Sequence, residues 1–81
     1  MSPLPHEILS RLAPWGLDVG TLVAEFHLTV RWELGCVVVT GHFGGHIEKV
    51  EGAAGRASGL QRAVIMAAYM QVVGAEEGGR V

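Results

Sequence analysis

Between Thr21 and Glu33 the chain alternates: Leu22, Ala24, Phe26, Leu28, Val30 and Trp32 interleave with Val23, Glu25, His27, Thr29, Arg31 and Glu33. Period two over about a dozen residues, rich in β-branched and aromatic types, predicts one long, half-buried strand. Leu34-Gly35 follows as a two-residue turn, and Cys36 to Thr40 resumes β character. With that turn, Trp32 faces Val37, Val30 faces Val39, Leu28 faces Gly41 and Phe26 faces Phe43, all on the apolar side. The other side then pairs Glu33 with Cys36, Arg31 with Val38, Thr29 with Thr40 and His27 with His42. Both strands agree on which face is the core, as a correct register requires.

The same logic runs outward in both directions. Gly44-Gly45 reads as the next turn and His46 to Glu51 as a shorter, more polar edge strand. Its register stays open: a two-residue loop pairs His42 with Ile47, and a three-residue loop with a glycine bulge pairs His42 with His46. Before the alternating run, Ser2 can cap a helix carrying Leu4, Ile8, Leu9 and Leu12, which Pro14 stops near Ala13. Trp15 to Gly20 then reads as a loop, with Trp15 folded over the core. After the third strand, Gly52 to Gly59 is a glycine-rich connection, and Ser58 caps a helix reaching Val73, with Gly74 ending it. Glu76 and Glu77 would sit badly at a helix C-terminus and are placed beyond it, and residues 78–81 read as a frayed tail.

The expected fold is therefore α+β in the order α-β-β-β-α. A three-stranded antiparallel meander carries two helices on one face, in a single small domain spanning residues 1–81. Composition agrees: 81 residues at 49% hydrophobic exclude a disordered chain. A net charge of −2 gives no overall field for nucleic acid or an anionic membrane, and neither partner is expected. The lone Cys36 excludes an internally disulfide-stapled domain. No apolar run reaches membrane-span length, and no basic segment precedes an apolar stretch at the start, so the expected setting is the cytoplasm. The chain lacks Asn and carries five Arg to one Lys, as heat-tolerant or GC-rich sources both favour.

Three constellations could carry function. In the last helix, Leu60, Ala63, Val64 and Ala67 share one face suited to the sheet. Ile65, Met66, Tyr69 and Val73, with Arg62, form a second stripe nearly opposite. A helix apolar all round must be covered twice. The N-terminal helix or the Trp15 loop could cover the second stripe, but a second copy of the chain is favoured, making Ile65, Met66, Tyr69 and Val73 the expected interface of a homodimer. Second, His27, His42 and His46 could hold Zn²⁺ with water or Glu25, although a row across three strands spans about 10 Å, wide for one ion. Third, Gly55, Arg56, Ser58, Gly59 and Arg62 could bind an anion at a helix N-terminus, without matching a P-loop or a dinucleotide fingerprint.

Nothing assembles a catalytic set. Cys36 has no base beside it in sequence, Ser58 lacks an elbow, no carboxylate pair stands out, and no cofactor is implied. Arg11, Arg31, Arg56 and Arg62 come from four different elements with no aromatic platform between them. The expected role is a small self-associating module acting through surface interactions. The alternative is a module binding a phosphate-bearing small molecule at the glycine-rich connection.

Overall fold

The computed structural model describes residues 5–78. In chain order the elements are α1 (His6–Leu12), a 3-10 turn (Ala13–Trp15), α2 (Val19–Glu25), β1 (Thr29–Glu33), β2 (Cys36–Gly41), β3 (Gly44–Lys49) and α3 (Gly52–Gly78). The fold is α+β, with an antiparallel sheet in the order β1-β2-β3. α3 lies across β2 and β3, and α1 and α2 pack against α3. One cluster joins the layers: Leu12, Leu22, Val37, Val39, Val64 and Ala67 are completely buried within it. Ser2 and Leu4, read as the start of α1, lie outside the described residues, as do residues 79–81 of the expected tail. Pro5 precedes α1, and α1 ends at Leu12 with Ala13 as its C-cap, the stop near Ala13 read from Pro14, which lies in the 3-10 turn that follows.

The β1–β2 hairpin has the register read from the sequence, from Glu33 opposite Cys36 to Thr29 opposite Thr40. Gly35 takes φ +78 in the turn, a conformation glycine adopts without steric cost. The long strand from Thr21 is not present. Its first half is α2, and the expected pairings of Leu28 with Gly41, His27 with His42 and Phe26 with Phe43 are absent from the ladder. Val19, Leu22, Val23 and Phe26 stand at i, i+3, i+4 and i+7, so the same residues that alternate also make a helical stripe. Asp18 decides between the two by capping: its Oδ2 accepts the Thr21 N–H at 3.0 Å and the Thr21 hydroxyl at 3.1 Å. At the other end His27 adopts φ +53, and the Leu28 N–H donates to the Val23 carbonyl at 3.0 Å. That is a Schellman closure with histidine where glycine usually stands.

The second hairpin also departs from expectation. The loop is His42-Phe43 rather than Gly44-Gly45, and neither expected register forms: Val38 pairs with Ile47 and Val39 with His46. The cause is tertiary. The Gln71 side chain, 5% exposed, accepts the Phe43 N–H at 2.8 Å through Oε1. Its Nε2 donates to the Gly44 carbonyl at 3.1 Å and to the Ala67 carbonyl at 2.9 Å. Gly44 takes φ +114 directly after the loop, and a side chain on Gly41 would overlap the Gln71 amide. The glycines thus shape the approach of the turn to α3 rather than forming the turn.

α3 is longer than read, 27 residues from Gly52 rather than a helix beginning at Ser58 and ending before Gly74. Its glycines are contact points. A Cβ on Gly59 would overlap Val50, and one on Gly74 would overlap the Phe43 ring. Each intrinsic cost of about 1 kcal/mol for glycine in a helix is set against close packing on the sheet. Glu76 lies inside the helix, where it forms an ion pair with Arg11 of α1.

Two outcomes test these assignments. His27→Gly is expected to raise stability by about 0.5–1 kcal/mol, because relief of the left-handed strain outweighs the added unfolded-state entropy. A higher melting temperature in calorimetry checks it, whereas an unchanged or lower one contradicts the strained cap. Gln71→Leu is expected to cost about 1–3 kcal/mol by leaving the Phe43 N–H without its partner. The readout is a lower urea midpoint, and an unshifted midpoint would mean the amide does not hold the turn.

Candidate functional site

The three constellations fare differently once folded. The histidines separate. His46 lies in β3, where its Nε2 is hydrogen-bonded to Glu48 two residues on, along the strand. Glu48 Oε1 in turn accepts from Arg62 Nε of α3 at 3.4 Å. This half-buried run of imidazole, carboxylate and guanidinium ties β3 to α3, and His46 is absent from the cavity wall that His27 and His42 share. His27 and His42 do meet, not as a strand pair but on the wall of a cavity of about 430 Å³. Trp15 and Phe26 furnish its apolar side as an edge-on pair with centroids 5.1 Å apart, and the His42 and Phe43 rings stand edge-on at 4.7 Å. Glu25 reaches the same cavity. Among the described residues no three His, Cys, Asp or Glu side chains are grouped so as to hold a metal ion.

The glycine-rich connection is helix, which changes what it can do. With α3 starting at Gly52, the backbone N–H groups from residue 56 onward face carbonyls one turn back. Gly55 and Gly59 are therefore not a flexible cradle, and Gly59 is buried against Val50. The Ser58 hydroxyl donates to the Gly55 carbonyl at 3.4 Å. Arg62 turns to Glu48, so the two arginines of the expected anion site do not converge. Arg56 instead lines a second cavity of about 380 Å³ at the start of α3, across from Trp32 of β1, with Glu33, Gly52 and Leu60.

The apolar stripe of α3 divides. Ile65 is 2% exposed and belongs to the core cluster that includes Ile8 and Leu12 of α1. Met66, Tyr69 and Val73 remain half-buried. Phe43, unremarked in the sequence beyond its strand face, joins them: its ring is 42% exposed and shares a depression of about 250 Å³ with Tyr69, Met70 and Val73. The i, i+3, i+4 spacing of α3 could expose Met70 as a member. The part played by Phe43 depends on the Gln71-held turn and has no local sequence signal.

Among the described residues, three arginines have carboxylate partners. Arg11 pairs with Glu76, Arg31 with Glu33 at 2.6 Å, and Arg62 with Glu48. Cys36 is a half-buried free thiol. Among the described residues no helix is long and apolar enough to cross a membrane. No family model, no curated protein and no solved structure matches the chain.

Proposed function

We propose that the protein is a small module that works by associating with copies of itself, presenting assembled surfaces rather than performing chemistry. The observation that carries this reading is the apolar surface left on α3 after the chain's own helices have packed. Met66, Tyr69 and Val73 run along the helix and continue onto Met70 and the half-exposed Phe43. Fully burying a large side chain gains about 1.5–3 kcal/mol, half-exposed ones forfeit part of that, and a small domain has little stability in reserve. An isologous contact sets such a stripe against its own copy, with the Tyr69 hydroxyl at the rim.

Sedimentation equilibrium at tens of micromolar tests the reading. The wild-type chain is expected as a dimer or a higher even oligomer. Met66→Glu or Val73→Glu is expected to cut the sedimenting mass by half or more while leaving the circular dichroism intact. Ile65→Glu is expected instead to unfold the chain, since that side chain is buried within one copy. A folded wild-type monomer, or a mass indifferent to Met66→Glu and Val73→Glu, refutes the stripe as an interface.

A second reading, a site for a phosphate-bearing small molecule, is favoured by one arrangement. Arg56, the exposed face of Trp32 and the first residue of α3 share a cavity. A guanidinium, an aromatic ring and a helix start are groups that suit an anion with a planar body. Phosphate is then expected to raise the melting temperature beyond a chloride control of equal ionic strength, and Arg56→Ala to remove the excess. Equal shifts in the two proteins rule this reading out.

A further inference from the structure

The sheet has an edge that the fold leaves open. β1 pairs with β2 on one side only, and α3 packs across β2 and β3 rather than over β1. Trp32, on the inner face of β1, is accordingly 48% exposed. In a two-residue hairpin the closing pair, Glu33 and Cys36, exchanges both backbone bonds, so by alternation Val30 and Trp32 turn their N–H and C=O groups outward. Edges are ordinarily defended by proline, lysine, bulges or covering segments. Thr29-Val30-Arg31-Trp32-Glu33 has no proline, glycine or lysine, and its register with β2 runs without a bulge. The opposite edge, β3, begins with Gly44-Gly45 and ends with Lys49.

The side chains on that edge are self-complementary. Arg31 and Glu33 share the outer face of the sheet, 2.6 Å apart, with Trp32 between them on the inner face. An antiparallel pairing of two β1 strands about a twofold axis at Trp32 sets Arg31 of each chain opposite the partner's Glu33. The four charges then alternate in sign around a square. The same register places the two Trp32 side chains opposite each other. It also brings Leu34, which is fully exposed at the hairpin tip, beside the partner's Val30. A register centred on Arg31 would oppose two like charges, which is unfavourable for directly facing residues.

We propose that β1 is a self-association edge, at which two copies pair antiparallel about Trp32 into a continuous six-stranded sheet fastened by reciprocal Arg31–Glu33 contacts. This rests on the reading that copies of the chain associate, but not on the α3 stripe being one of the surfaces. The test uses the Val73→Glu chain, in which the stripe is disabled, and follows mass by native mass spectrometry. With the stripe and β1 both in use the wild-type chain is a tetramer or larger, and Val73→Glu is expected to leave a dimer held at β1. Adding Arg31→Glu or Glu33→Arg is expected to weaken pairing at least tenfold and leave monomer. Mixing those two variants restores complementary charges at both contacts and is expected to return a dimer of mixed composition. A monomeric Val73→Glu chain overturns the proposal, as does a mixture that forms no mixed dimer. Pairing that survives Glu33→Arg overturns the register, because the arrangement about Trp32 would then set two arginines face to face at each contact. Failure of the stripe shows separately, as a wild-type mass that Val73→Glu does not change.

Discussion

One buried amide holds the two halves of the molecule together. Gln71 sits inside α3, yet its side chain supplies an acceptor to the Phe43 N–H and a donor to the Gly44 carbonyl. It therefore behaves as a strand neighbour to the tip of the second hairpin. Without it, the Phe43 N–H would face the helix with no partner, a cost the fold could recover by letting the turn lift away. The third bond, to the Ala67 carbonyl one turn earlier, uses the other amide hydrogen and fixes the rotamer. From this clamp follow the loop at His42-Phe43, the seating of the Phe43 ring on Gly74 and the register of β3.

Close approach is the second constraint. α3 can lie near β3 and its following residue because the positions that meet them are small: Gly59 under Val50 and Gly74 under Phe43, with Ala63 and Ala67 fully buried between. Helix propensity is given up at the glycines, and the length of α3 offsets it, since each added residue adds a backbone bond to a helix already nucleated. Charged pairs mark the borders of this contact, with Glu48 reaching Arg62 at one place and Arg11 reaching Glu76 at another. As partly exposed pairs they add little energy; their effect is to orient β3 and α1 on the helix.

How much of this was legible follows from where each instruction is written. The β1–β2 register was readable because two neighbouring strands state it twice, once each, in Val30 and Trp32 and in Val37 and Val39. α2 reads as the first half of a strand because its residues satisfy both periods; Asp18 at the cap and the i+7 reach of Phe26 from Val19 are the signals that favour helix. The second turn was unreadable locally. Gly44-Gly45 has stronger turn chemistry than His42-Phe43, and what overrides it lies 28 residues away in sequence, from Phe43 to Gln71. The glycines of α3 misled for the same reason, since a residue that breaks a solitary helix also lets a packed one come close. Of the candidate sites, the expected histidine group came apart with the long strand and the second turn, the arginine pair split when the connection became helix, and the stripe lost Ile65 to the core while Met66, Tyr69 and Val73 stayed half-buried.

The proportions of α3 have a hydrodynamic consequence. The helix of 27 residues is about 40 Å long at 1.5 Å per residue, and the molecule measures 43 × 23 × 21 Å. Its longest dimension is therefore close to the length of a single rod, roughly twice either width. Such a body spins readily about its long axis and turns end over end slowly. Backbone N–H vectors in a helix lie nearly along the helix axis, and the axis of α3 follows the long direction. In a single copy, amides of α3 consequently reorient only by the slow motion, and in nuclear spin relaxation they report slower tumbling than N–H groups lying across the long axis.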